Sequence, residues 1–165
     1  MKAIFTCLII LFTYNIYSQT ADEFLKRGLA KYEREDYRGA IIDYSKAIEL
    51  NPNIEIYFNR GQAKRQLEDY RGAIADFTKV IELNHNLALP YSLRGYCKLK
   101  LELYRGAIID FNKAIELDPK DIVSYLNRGL SKLNIGNEDG GCLDFSKVGE
   151  LGSDKAYEFI DLHCK

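Results

Sequence analysis

The sequence predicts an all-α fold: a stacked array of about four antiparallel helix-turn-helix repeats, closed by one further helix at the C-terminal end. Three observations predict it. An Arg-Gly pair recurs at Arg27-Gly28, Arg60-Gly61, Arg94-Gly95 and Arg128-Gly129, in steps of 33, 34 and 34 residues. Twelve residues after each glycine stands a small residue (Ala40, Ala73, Ala107, Gly141), and four further on an aromatic (Tyr44, Phe77, Phe111, Phe145). Apolar residues recur at helical spacing on either side of short polar interruptions. A fixed period near 34 marks stacked helical pairs. Such arrays present extended binding surfaces more often than catalytic sites.

The first residues stand apart. Lys2 is the only charge before Asp22, and Ala3 to Phe12 is nearly unbroken apolar sequence. A basic start, an apolar stretch and a small residue at Ser18 describe a secretory signal over residues 1–18, with the mature chain starting near Gln19. An uncleaved anchor is the alternative, but the apolar stretch is short of the roughly 20 residues that span a bilayer. Cys7 lies inside that stretch, in a poor setting for lipid attachment.

Residues 19–165 then read as one array, with repeats at about 21–53, 54–87, 88–121 and 122–152 and a capping helix at about 153–164. In the first repeat, Phe24, Gly28 and Lys31-Tyr32 follow helical spacing. Glu35-Asp36-Tyr37 interrupts it, and Ala40, Ile41, Tyr44, Ala47, Ile48 and Leu50 resume it. Gly28 and Ala40 are read as facing small residues that let the two helices approach. Asn51-Pro52 stops the second helix, because proline cannot continue it. Asp118-Pro119 does the same in the third repeat, and Asn84-His85-Asn86 takes that place in the second. Ile41, Ile74 and Ile108 are expected to face the next repeat. The helices are expected at about 20–34, 37–50, 54–67, 70–83, 88–101, 104–117, 122–135, 138–151 and 154–164.

Charge excludes some partners. The formal net charge is −1, with both signs mixed along the repeats, so no basic footprint points to nucleic acid. Arg27, Arg60, Arg94 and Arg128 recur in step with Asp43, Asp76, Asp110 and Asp144. This predicts a ladder of packing pairs, within a repeat or across to the next, and a ligand-gripping arginine row is the lesser alternative. His85 and His163 have no metal-ligand spacing with another His or Cys. No phosphate loop or nucleophile elbow occurs. Metal, cofactor, small-molecule substrate and enzymatic activity are therefore not expected.

Cys142 takes the place of the outward isoleucine of the other copies, so it should point at the last helix. Ala156, Ile160 and Cys164 share one face of that helix. An antiparallel packing would bring Cys164 to Cys142 as a disulfide, worth about 3 kcal/mol in the loop-entropy account. Two packed, reduced thiols are the alternative. Cys97 falls at a small-residue position of its helix and reads as a buried, inert thiol.

Together these positions resemble the tetratricopeptide repeat family over about residues 21–152. Phe24, Tyr57, Tyr91 and Tyr125 match the first aromatic position, Gly28 and its counterparts the glycine, Tyr37, Tyr70 and Tyr104 the turn. Ala40 and Tyr44 and their counterparts complete the match. The fourth copy departs from it, with Glu138-Asp139-Gly140-Gly141 where the others have Tyr-Arg-Gly-Ala. The resemblance implies a right-handed superhelix, an α-solenoid, whose first helices line a concave groove, and a protein-interaction scaffold as the role. It places the groove on Leu25, Lys26, Leu29 and Tyr32; Phe58, Asn59, Gln62 and Arg65; Ser92, Leu93, Tyr96 and Leu99; and Leu126, Asn127, Leu130 and Leu133. Lys26 and Asn59 suit the carboxylate clamp of some members, but Leu29 and Leu93 replace polar members of that set. An apolar groove implies an amphipathic or extended apolar segment as partner. A self-assembling subunit of an envelope complex, with the stripe buried in a homo-oligomer, is the other expectation. The expected location is secreted, periplasmic or at the cell envelope.

Overall fold

The computed structural model describes residues 20–164; the segment expected as a signal, 1–18, lies outside the described residues. The first helix, α1, covers 20–33. It is followed by α2 (Tyr37–Leu50), α3 (Ile54–Gln66), α4 (Tyr70–Leu83) and α5 (Ala88–Lys100). Then come α6 (Tyr104–Leu117), α7 (Ile122–Asn134), α8 (Glu138–Glu150) and α9 (Lys155–His163). Among the described residues there is no strand, and no helix is long and apolar enough to cross a membrane. The boundaries fall within two residues of the sequence expectation.

Each repeat is built by the same local chemistry. The first helix of a pair ends in a Schellman turn, in which Asp36 N–H donates to Lys31 O and Glu35 N–H to Tyr32 O, both at 2.9 Å. The same bonds recur in the other three pairs. The residue at the turn is left-handed in every pair: Glu35 (φ 61), Glu68 (φ 59), Glu102 (φ 60) and Gly136 (φ 79). The second helix then starts on a side-chain cap. Asp36, Asp69 and Asn137 accept from the backbone N–H of Gly39, Gly72 and Gly140. Leu103 holds that position before α6 without a side-chain cap bond.

The described residues form two compact units, one ending at Leu83 and the next starting at Asn84. The division falls at Asn84-His85-Asn86, where the turn lacks the proline of its neighbours. In the first unit, α1 to α4 enclose Leu25, Ala40, Tyr44, Ala47, Ile56 and Ala63, with Leu29, Tyr32 and Ile41 packed around them. In the second, α5 to α9 bury Cys97, Ala107, Phe111, Ala114, Phe145, Val148 and Ala156.

The close approach within a pair differs in detail from the sequence reading. Gly28 faces the ring of Tyr44 more than it faces Ala40: a Cβ on Gly28 would lie 2.5 Å from the ring edge. Gly61, Gly95 and Gly129 meet Phe77, Phe111 and Phe145 in the same way, at 2.9, 2.8 and 2.6 Å. Helical side chains lean toward the N-terminus, so each aromatic covers the turn before its own Cα and fills the space over the glycine.

The last helix packs on α8. Phe159 stacks on Phe145 with ring centroids 5.1 Å apart, and Ala156 is fully buried. Cys142 and Cys164 are joined in a disulfide, with Cα atoms 5.7 Å apart.

Candidate partner-binding surface

Four charged clusters brace the repeats. Arg27 Nε and Nη2 donate to the two carboxylate oxygens of Asp43, at 2.8 and 2.5 Å. Arg60 grips Asp76, Arg94 grips Asp110 and Arg128 grips Asp144 in the same bidentate way. Each pair therefore lies within one repeat. The guanidinium also stacks on the aromatic three residues before it, Arg27 on Phe24 at 4.8 Å and Arg128 on Tyr125 at 5.2 Å. A remaining N–H of Arg60 reaches Ser45 on the preceding pair, and one of Arg128 reaches Asn112.

Sequence reasoning missed the second cation. Lys31, Lys64, Lys98 and Lys132 each stand 2.7–2.8 Å from the same aspartate. Their common period, four residues after each arginine, is the signal that would have found them. The four aspartates are buried. The Arg27 hydrogen bond, helped by Lys31, holds the Asp43 carboxyl down at about 2 against the opposing effect of burial. Each carboxylate is thus satisfied internally by two cations of its own repeat. These arginines brace the repeat; they do not form a ligand-gripping row.

The face of the first helices carries the positions expected to meet a partner. Of the sixteen positions expected there, three are corrected. Leu25 is only 8% exposed, Ser92 5% and Asn127 9%. Leu25 and Ser92 share the fifth position of their repeats, and each meets the third position of the next repeat. Leu25 accordingly joins the core beside Ile56, and Ser124 Oγ donates to Ser92 Oγ at 2.8 Å. Asn127 lies on the same helix side as the fully buried Ser124 and Ser131, three before and four after it, and is drawn in with them.

Lys26 is exposed, and the remaining twelve are half-buried. In the first unit, Leu29 and Tyr32 rest on the core, Phe58 lies 6.0 Å from Phe77 between centroids, and Arg65 Nε donates to Gln62 Oε1. Asn59 lies in the same half-buried row. In the second unit, Leu93, Tyr96, Leu99, Leu126, Leu130 and Leu133 form an almost wholly apolar set. Two residues that the sequence reading left out extend it: Leu89 is 55% exposed and Val123 58%. Leu89 sits one turn before Leu93, and Val123 two turns before Leu130, so helical periodicity carried the signal. A recess of about 320 Å³ lies at the other end of α7, lined by Leu130, Leu133, Asn134, Glu138 and His163. A second, of about 520 Å³, lies at the turns beside Leu103, Tyr104 and Ile135.

Three family models match this repeated architecture. Two are described as tetratricopeptide repeat, over residues 54–87 and 90–121, and one as TPR repeat, over residues 28–65. The chain is a tetratricopeptide repeat protein. Members of this family are in general interaction modules. Solved structures share the fold. The crystal structure of MamA protein superposes with a TM-score of 0.84 at 24% identity, covering 88% of this chain and 81% of that one. YrrB, described as a TPR protein with an unusual peptide-binding site, gives 0.81 at 18% identity, covering 97% and 88%. The first TPR of Spaghetti, bound to an HSP90 peptide, gives 0.68 at 24% identity, covering 72% and 95%. No curated protein matches the chain.

Proposed function

We propose that this tetratricopeptide repeat protein is a non-enzymatic scaffold that holds a peptide or protein segment against the first-helix face of its repeats. One observation carries the reading: the clamped aspartates and the glycine–aromatic contacts do the structural work of each repeat, while an apolar row on the first helices of the second unit stays at the surface. Apolar rows of this kind, rimmed by polar residues, mark interaction sites. YrrB and the Spaghetti domain, two structural neighbours, are described with bound or bindable peptides, which supports the same use here. We place the protein outside the cytoplasm, at the cell envelope or beyond it. The Cys142–Cys164 disulfide supports that, since such bonds persist in oxidising compartments. So does the signal-like pattern of residues 1–18.

Light scattering of the purified protein over a wide concentration range tests the scaffold reading. A monomer throughout leaves the face open to a partner. An oligomer that dissociates on Leu93→Asp or Leu130→Asp assigns the face to self-assembly and removes the reading's main support.

A further inference from the structure

The last helix is held to the fold unevenly along its length. Its first half packs: Ala156 is fully buried, and Phe159 stacks on Phe145 with ring centroids 5.1 Å apart. Its last turn does not. Asp161, Leu162 and His163 are exposed, Leu162 to 71%. α9 spans nine residues, and no side chain caps its N-terminus. A helix of that length is not stable on its own in water. The bond that ties the last turn to α8 is Cys142–Cys164, and both cysteines are half-buried. Cys142 Sγ lies 3.7 Å from the backbone oxygen of His163. That turn bears on the first-helix face, because His163 walls the recess of about 320 Å³ formed with Leu130, Leu133, Asn134 and Glu138. Leu130 and Leu133 are two of the positions expected to meet a partner.

We infer that the Cys142–Cys164 disulfide is a redox-operated latch on this end of the face. Oxidised, it keeps His163 beside Leu130 and Leu133, and the recess is walled. A dithiol, free or carried by a thiol–disulfide oxidoreductase, opens it. One thiolate of the dithiol attacks a sulfur of the pair and forms a mixed disulfide, and its second thiol resolves that bond. The dithiol gives up two electrons and two protons and becomes a disulfide; Cys142 and Cys164 become thiols. Cys97 takes no part, being buried in α5. The last turn of α9 then frays and His163 leaves the recess, while Ala156 and Phe159 keep the first half in place. The latch stands on the packing of α9; its use in gating a partner rests on the scaffold reading.

The test equilibrates the intact protein across a series of reduced-to-oxidised dithiothreitol ratios. Mass spectrometry after alkylation counts the free thiols, while ¹⁵N spectra and hydrogen exchange follow the backbone. The expected result is a single transition in which Cys142 and Cys164 become alkylated together. At the same midpoint the amides of Leu130, Leu133 and Asn134 shift and those of residues 161–164 lose protection. The Phe145–Phe159 ring contact, read from nuclear Overhauser effects, persists throughout. Cys142→Ser/Cys164→Ser gives the reduced spectrum at every ratio. A bond that resists excess dithiothreitol without denaturant overturns the inference, and so do α7 amides that stay in place on reduction. Loss of the ring contact together with the last turn overturns it as well, since the bond is then a staple of the whole cap. None of these readouts involves a partner, so their failure leaves the scaffold reading to the light-scattering test.

Discussion

Tyr44→Phe should stabilise the protein, because Tyr44 carries a hydroxyl that its site does not use. The side chain is fully buried over Gly28, and among the described residues its Oη has no hydrogen-bond partner. Three other repeats place phenylalanine at the same position, as Phe77, Phe111 and Phe145. A buried hydroxyl without a partner costs about 1–3 kcal/mol. Deleting one oxygen forfeits a few dispersion contacts of about 0.1–0.2 kcal/mol each. The net expectation is a gain of about 1–2 kcal/mol, seen as a rise in Tm of roughly 2–8 °C for a domain of this size. A second signature is alkaline. Burial pushes the Tyr44 hydroxyl up to about 12 from an ordinary value near 10. Below pH 10 both folded and unfolded chains keep it neutral, so nothing is lost there. Between about pH 10 and 12 only the unfolded chain ionises, and stability falls as pH rises, by about 2–3 kcal/mol over the window. Tyr44→Phe removes that increment. Melts followed by circular dichroism at pH 7 and pH 11 measure both effects. A variant less stable than the parent at pH 7, with the same alkaline loss, would refute the reasoning and show that the hydroxyl has a partner.

The other expectations concern the braces of the fold. Asp43 is held down at about 2 by Arg27 and Lys31, so its contribution is present above the ordinary carboxylate value near 4 and is lost as pH falls through 2. Asp43→Asn should cost about 2–3 kcal/mol at pH 7 and flatten the acid limb of a urea-denaturation series between pH 5 and 2. Gly95→Ala puts a Cβ 2.8 Å from the Phe111 ring and should cost about 1–3 kcal/mol or more in the same assay. Gly136→Ala meets nothing within 4 Å, so its cost is that of the left-handed backbone alone, about 1–2 kcal/mol. Cys142→Ser/Cys164→Ser should lose about 3 kcal/mol, with amide exchange rising first in α9.

What was legible in the sequence was what repeats. The period fixed the helix pairs, and the sixteen-residue offset from Arg27 to Asp43 gave the ladder. The second cation went unread although Lys31, Lys64, Lys98 and Lys132 keep the same step, because lysines on a helix are ordinarily solvated. The turn geometry was hidden for a different reason. Glutamate does not announce a left-handed residue, and only Gly136 in the fourth copy betrays what Glu35, Glu68 and Glu102 adopt. The partner face was legible in part. A family pattern places Leu25 and Ser92 on the surface, but how deeply a position sinks depends on its neighbour helix. Ile56 and Ser124 decide that, and they lie about thirty residues away in sequence.

The central claim is that the first-helix face binds and the opposite face does not. Affinity of one peptide selected on the intact protein from a random phage-displayed library, measured for the parent and three variants, tests it most directly. Leu93→Asp and Leu130→Asp alter the face, while Ile109→Asp alters an outward residue of α6 that is already 67% exposed. The account predicts that the first two lose binding by tenfold or more, about 1.4 kcal/mol, and that the third binds like the parent. Equal binding by all three, or loss in Ile109→Asp alone, would contradict it.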